Sequence, residues 1–264
     1  MNPPAHAPLL CPVRNCRLPL SQEDRRFACP CGHSFAVARS GYVNLLQPQE
    51  RRSRHPGDTA AAVAARRRLH DRGITTPLLA AMAELLTASR KDTILDAGCG
   101  EGCYLGSLAR GAGCAGHGID ISTPAVDAAA RRYPECQWIA GNADRFIPWA
   151  DQSFSAVLSI TGRRNTAEFR RVLYLGGRLL VAIPAPEDLI ELRGHGRDRI
   201  SSTVDSLAPD FRLTQWRRAS TTADLDAGAV DDVLHSIYRP MQPHPARAMR
   251  LTFSLDLLLF SSCQ

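Results

Sequence analysis

The stretch Thr93-Ile-Leu-Asp-Ala-Gly-Cys-Gly-Glu-Gly102 constrains the fold of this chain more than any other segment. A short β-branched and leucine run closes on Asp96, glycines follow at 98, 100 and 102, and a helical pattern begins near Tyr104. Glycines at alternate positions let the backbone turn sharply and approach a bound nucleoside, as the first βα turn of a Rossmann-like parallel sheet requires. That single unit predicts an α/β fold with its ligand at the carboxyl ends of the strands.

The downstream residues extend the pattern. A helix over 104–112 leads to the strand His117-Gly-Ile-Asp-Ile-Ser122, whose Asp120 stands ready to accept hydrogen bonds from both hydroxyls of a ribose. Ile121 would lie against the base. A third strand enters Asn142-Ala-Asp144, where Asn142, the Ala143 amide or Asp144 would read an adenine edge. A fourth, Ser155-Ala-Val-Leu-Ser-Ile160, ends on the substrate side. The glycine spacing is G-x-G-x-G in place of the dinucleotide G-x-G-x-x-G, which favours S-adenosylmethionine over NAD or a nucleotide sugar. Asp96, Gly98, Gly100, Gly102, Tyr104, Asp120, Ile121, Asn142 and Ala143 are the expected cofactor contacts.

A helix over 77–89 precedes this unit. Beyond it, helices are expected over 166–173 and 187–193, with a strand over 177–184 between them. Two late strands, 211–217 and 249–261, flank a helix over 227–238. Five parallel strands and two late ones fit a seven-stranded methyltransferase sheet whose last strand is antiparallel and lies near an edge.

The opening of the chain has a different chemistry. Residues 11–33 read C-P-V-R-N-C-R-L-P-L-S-Q-E-D-R-R-F-A-C-P-C-G-H, two clusters of soft ligands separated by a hairpin-like stretch. A tetrahedral zinc ion would take Cys11 and Cys16 from the first cluster and Cys29 and His33 from the second, with Cys31 a spare thiol beside them. A module without metal is the competing reading. No export signal or membrane-length apolar run is visible, so the nine cysteines are expected to be metal ligands and reduced thiols in a cytoplasmic protein.

Charge separates the same two parts. Residues 1–72 hold 12 arginines against 5 carboxylates, a net of +7, whereas the whole chain carries +6. A basic module on a near-neutral body suits an enzyme that grips a polyanion, although an arginine-biased composition would give the same sum. Residues 47–58, with Arg51, Arg52, Arg54 and His55 between prolines, read as a basic linker or a phosphate-contact loop. A helix over 59–73 follows, capped by Asp58 or Thr59 and stopped by Gly73, with Arg66, Arg67 and Arg68 spread over more than one face. The expected division is 1–46 as a zinc-binding RNA-recognition module, 47–92 as basic linker and helices, and 93–264 as the methyltransferase domain.

Together, the zinc-type cluster, G-Y-V-N-L-L at 41–46, P-G-D before A-R-R, D-A-G-C-G-E-G, G-I-D-I-S, A-A-A-R-R-Y-P and I-P-A-P with L-I-E-L-R resemble the RlmA-type 23S ribosomal RNA guanine-N1 methyltransferases from Cys11 to about Arg193. The resemblance implies zinc on Cys11, Cys16, Cys29 and His33, S-adenosylmethionine on Gly98, Gly100, Asp120, Asn142 and Ala143, a 23S rRNA hairpin as substrate, and a homodimer with no membrane partner. The chain departs from the family in its wider C-x4-C, in Cys103 where a tyrosine is usual, in Tyr174-Leu-Gly-Gly177, and in Thr161-Gly-Arg-Arg-Asn165 where a proline is usual.

Methyl transfer to guanine N1 also needs relief of the N1 proton, for which Asp58, Glu101 and Glu191 are candidates. A splayed base would stack on Tyr42, Tyr104 or Trp149. A small-molecule methyltransferase with a structural knuckle and a weakened RNA-binding paralogue are the alternatives.

Overall fold

The computed structural model describes residues 7–51, 57–237 and 244–263. Arg52, Arg54 and His55 of the basic segment, and the end of the helix expected over 227–238, lie outside the described residues. The chain opens with three short antiparallel strands, β1 (Ser21–Glu23), β2 (Arg26–Ala28) and β3 (Ser34–Ala36), which form a separate small sheet. Next come β4 (Val43–Asn44) and the helices α1 (Pro48–Arg51), α2 (Ala60–Asp71) and α3 (Thr76–Leu86). The body continues as β5 (Thr93–Ala97), α4 (Cys103–Ala112), β6 (Ala115–Asp120), α5 (Thr123–Arg132), β7 (Gln137–Ala140), β8 (Phe154–Ile160), α6 (Thr166–Val172) and β9 (Leu173–Pro184). Last are α7 (Ile190–Arg193), α8 (Ile200–Leu207), β10 (Phe211–Leu225), α9 (Ala227–Ser236) and β11 (Met249–Ser262).

The seven expected strands form one sheet in the order β10-β11-β9-β8-β5-β6-β7, and β4 adds an eighth at the far edge. Strands β4 to β9 of this sheet run parallel, while β11 is antiparallel to both β9 and β10. The last strand in the chain is thus inserted between its neighbours. It lies one strand in from the edge, and its second half, 256–260, is buried. The true edge is β10, fifteen residues long and mostly exposed, where a shorter strand was expected. Its length follows from pairing with β11 from Phe211–Ser262 to Leu225–Met249, broken only by a bulge at Thr214, which propensity over 218–225 does not announce.

Local signals explain the helix ends. Thr59 caps α2 by accepting from the Ala62 amide, Ser122 caps α5 by accepting from the Ala125 amide, and Asp226 caps α9 by accepting from the Ala229 amide. Gly73, at φ +76°, lets the chain leave α2 and turn into α3.

The N-terminal module shares a core with the body. Leu9, Cys11, Leu20, Cys29, Phe35, Val43 and Leu45 pack in one apolar cluster with Ile119, Ile139, Ile147, Trp149 and Phe154. The Leu10 amide donates to the Pro148 carbonyl, the Ala150 amide to the Pro8 carbonyl, and the Leu45 amide to the Ala140 carbonyl at the end of β7. The Arg17 guanidinium carbon sits 3.2 Å from the centre of the Phe146 ring, closing the seam from outside. The boundary drawn at residue 46 therefore crosses a continuous core.

Trp149 is fully buried at that seam, bridged to Leu9 and donating through Nε1 to the Gln137 side-chain oxygen. Truncating it leaves a cavity facing both parts. Trp149→Ala is expected to cost about 3–5 kcal/mol in denaturant unfolding, with module and body still melting in one transition; a loss under about 1 kcal/mol, or a separate early transition of the module, would contradict the shared core.

Candidate active site and metal centre

The sheet reverses direction of growth between β5 and β8, so the loops leaving these strands part and open a crevice at their carboxyl ends. Gly98, Gly100 and Gly102 build the loop after β5 and all have positive φ, at 92°, 54° and 78°. Two of them show why side chains are excluded. A Cβ at Gly102 would fall 2.5 Å from the Trp138 ring, so the start of α4 lies directly on β7 and α5. A Cβ at Gly98 would meet nothing within 4 Å, so this backbone faces an open cradle of the kind a nucleoside fills.

Asp120, at the end of β6, shapes the turn. Its Oδ2 accepts from the Gly100 amide at 2.9 Å and its Oδ1 from the Ser122 amide at 2.8 Å. Each oxygen keeps a second lone pair, which suits a carboxylate meant to take ribose hydroxyls. Ile121 is partly exposed beside it and packs under Gly57. On the next loop the Asn142 side-chain oxygen accepts from the Asp144 amide, and the Ala143 carbonyl accepts from the Asn165 side chain. Asn142 and Ala143 are partly buried; Asp144 is exposed.

Above the glycine turn stands a charged cluster. Asp58 accepts from Arg66 at 2.5 Å, and Arg66 also lies 3.6 Å from Glu101 and donates to the Ser236 carbonyl. His70, one helical turn beyond Arg66, reaches Glu101 at 2.8 Å through Nε2 and meets the Thr75 hydroxyl at 2.7 Å through Nδ1. Burial alone would lower the His70 imidazole, but the adjoining Cys103 and the Glu101 carboxylate outweigh it and hold the pKa up at about 9. Glu101 responds in kind: burial favours its neutral form, yet His70 and Arg66 keep it below the usual carboxylate range. Asp96, buried at the end of β5, has no such partner among the described residues; burial, with Asp120 and Glu101 near, pushes it up to about 8. Its Oδ1 makes no hydrogen bond among them either.

The cradle is thus lined by Asp58, Asp96, Glu101 and Asp120 against Arg66 and His70, a surplus of acid that suits a ligand carrying positive charge. Tyr104 stands edge-on to His70, with ring centres 5.4 Å apart. The other expected contributors lie elsewhere. Tyr42 and Trp149 are buried in the apolar core and offer no ring face to a base. Glu191 accepts from the Thr252 amide and hydroxyl, tying α7 to β11. Arg66 and His70 carry the cluster's positive charge, and their roles were not foreseen. Their signal was present, since residues four apart share a helix face and flank the apolar stripe of Val63 and Leu69.

In the N-terminal module, Cys11, Cys16, Cys29 and His33 converge, with ligand atoms all within 4.8 Å of one another. Cys11 Sγ and Cys29 Sγ lie 3.5 and 3.3 Å from His33 Nδ1, and Cys16 Sγ lies 3.7 Å from Cys29 Sγ. Ligands on a tetrahedral zinc ion are separated by roughly 3.3–3.8 Å, whereas a disulfide needs about 2.05 Å. The four residues fit zinc as a Cys3His set. Cys31 is exposed and outside the group.

A Rossmann-like sheet with this strand order, a glycine turn ending in an acid-lined cradle, and a Cys3His knuckle define an S-adenosylmethionine-dependent methyltransferase of class I with a zinc ribbon. The comparisons carry this further. Residues 9–54 match the RlmA N-terminal zinc-ribbon family and residues 94–177 a methyltransferase domain family. The chain is 35% identical to the 23S rRNA (guanine(748)-N(1))-methyltransferase of Streptomyces fradiae, over 86% of this chain and 83% of that protein. It is 36% identical to a Micromonospora griseorubida protein that provisionally bears the name 23S rRNA (guanine-N(1)-)-methyltransferase, over 73% of this chain and 70% of that one. A chain of the complex between the Haloferax volcanii Trm112 methyltransferase activator and its methyltransferase superposes with TM-score 0.55 at 19% identity, over 79% of this chain and 99% of that chain, and shares the fold. The chain belongs to the 23S rRNA (guanine-N1)-methyltransferase family.

Asp96 yields a pH test. A cationic ligand beside it stabilises the carboxylate, so binding near neutral pH must expel the proton that a pKa of about 8 retains. Affinity for S-adenosylmethionine is expected to strengthen from pH 6 to pH 8 and then level off. Calorimetry at pH 7 in buffers of different ionisation enthalpy should register proton release, absent in Asp96→Asn; release of no proton by the wild type would contradict this assignment.

Proposed function

We propose that the protein methylates N1 of a guanine in a hairpin of 23S rRNA, acting in the cytoplasm as a homodimer. The observation that carries the proposal is the joining of an RlmA-type zinc ribbon to a methyltransferase cradle through one core, so that whatever the ribbon grips is held at a set position relative to the site. The ribbon's outer surface offers exposed Arg14, Arg25 and Arg39, in keeping with a polyanionic partner. A second copy has an obvious place to dock along β10, a long free sheet edge that carries exposed Trp216. Among the described residues, no helix is long and apolar enough to cross a membrane.

The sulfonium of bound S-adenosylmethionine supplies the methyl group. The rest falls to this chain's own residues. Gly98, Gly100 and Gly102 would hold the backbone back from the nucleoside, Asp120 would take the ribose hydroxyls, and Ile121 with Asn142 and Ala143 would border the adenine. Asp58 and Glu101 serve the cofactor side in this reading, because both are bound to Arg66 and Glu101 also to His70, which leaves them poor acceptors for the N1 proton. Glu191, held by Thr252, is assigned to structure. Orientation and exclusion of water carry most of the rate for such a displacement.

Incubation of the protein and labelled S-adenosylmethionine with 23S rRNA from a strain lacking the modification should place the label on a single guanine as 1-methylguanine, located by nuclease mapping and mass spectrometry. The guanine named for the Streptomyces fradiae relative is the first position to check. Label in small molecules only, or none in RNA despite cofactor binding, would overturn the proposal.

A further inference from the structure

The segment Thr161-Gly-Arg-Arg-Asn165 leaves β8 at the point where the sheet reverses. In the β5–β8 register Asp96 lies opposite Leu158, so Ile160 runs two residues further and carries the segment over the glycine turn. The loop is fastened on every side. The Thr161 amide donates to the Ala182 carbonyl on β9, and the Ser159 hydroxyl donates to the Arg163 carbonyl. A Cβ at Gly162 would lie 3.5 Å from the Ala97 carbonyl, the last residue of β5. Asn165 caps α6 and donates through its side chain to the carbonyls of Ala143 and Asp144, on the loop after β7. Thr161 has a φ of 51°, left-handed backbone that a β-branched residue adopts only where its surroundings hold it there.

This fixed loop presents two arginines. Arg163 lies 3.6 Å from Asp144, so part of its charge is answered within the protein. Arg164 differs: it is exposed, and among the described residues no carboxylate lies within ion-pairing distance of it. Most arginines of the body have an acidic partner, as Arg132, Arg171, Arg178 and Arg218 do. An exposed guanidinium without a counter-charge is open to an anionic ligand, and its fork of donors matches a phosphate.

We infer that Arg164, with Arg163 beside it, is a phosphodiester clamp that grips the RNA backbone next to the guanosine drawn into the crevice. The inference rests on the rRNA reading above. Cofactor lies over β5 and β6, so the acceptor enters from the β8 side, and the phosphates flanking a splayed nucleotide pass the mouth where this pair stands. Arg164 is a positioning residue: it sets the register of the backbone and leaves the reacting atoms to others. Through Asn165 the same loop is bonded to the adenine-side turn, so gripping RNA also braces the cofactor pocket.

The test uses the full-length protein, S-adenosylmethionine and the 23S rRNA fragment that the wild type methylates, with Arg164→Ala, Arg164→Lys and Arg163→Ala compared. Arg164→Ala should bind RNA roughly tenfold more weakly, raise KM with little change in kcat, and make the plot of log affinity against log salt shallower by about 1. S-adenosylhomocysteine affinity should stay within about twofold of the wild type in the same variant, which separates loss of the clamp from misfolding. Arg164→Lys should recover most of the affinity and the salt slope, and Arg163→Ala should show the smaller loss. If the wild type binds and methylates the fragment while Arg164→Ala keeps its KM and salt slope, the clamp is refuted and the rRNA reading stands. If the wild type neither binds nor methylates ribosomal RNA, both fall together.

Discussion

The carboxylate of Asp120 and the glycine turn it holds are the constraint on which the rest of the molecule is arranged. By accepting from the Gly100 amide it fixes a loop that would otherwise sample many conformations, since its glycines at 98, 100 and 102 carry no Cβ to restrict them. The same bond brings acid close to acid. Burial raises the Asp96 pKa, Asp120 and Glu101 add to it, and two cations from one face of α2, Arg66 and His70, stand against this acid. That helix packs against α9 and is entered through Gly57 and Asp58, which lie on Ile121 and Ser122. The cradle is therefore built by both ends of the chain as well as its middle, and its excess of negative charge anticipates a ligand bearing a sulfonium and an ammonium.

The zinc ribbon takes part in this arrangement. Cys11 is at once one of the four converging ligands and a fully buried member of the core that includes Trp149 and Ile119. Its outgoing strand, β4, extends the sheet beyond β7, and the chain then passes Leu45 and Gln47 beside Gly141 and Asn142. The Cys3His cluster and the loop at 141–144 thus rest on contiguous packing. The ribbon and the crevice therefore belong to one packed body among the described residues.

Much of this was legible in the residues. The strand-turn-helix at 93–104, the acid at 120 and the paired soft ligands at 11–33 each carry a local rule of spacing, and the structure brings the members of each group together. The elements that escaped are governed by tertiary contact. Strand β10 runs on to Leu225 because β11 pairs with it on both sides of the bulge at Thr214. The expected boundary after residue 46 followed composition, whereas Val43 and Leu45 are buried against β7 by contacts no linear pattern displays. Which partner each of Asp58, Glu101 and Glu191 meets, Arg66, His70 or Thr252, depends on folding and is not visible in their spacing. For Tyr42 and Trp149 the apolar neighbourhood prevailed over the aromatic face, as is usual for large rings in a shared core.

The central claim is that one nucleoside sits over the turn at 98–102 with its sugar on Asp120. A crystal structure of the zinc-loaded protein with S-adenosylhomocysteine tests it directly. The account predicts both ribose hydroxyls within hydrogen-bonding distance of the Asp120 oxygens and the ligand's sulfur near Gly98, facing the segment after β8. Ligand density at another place, or a ribose bound by residues other than Asp120, would contradict it.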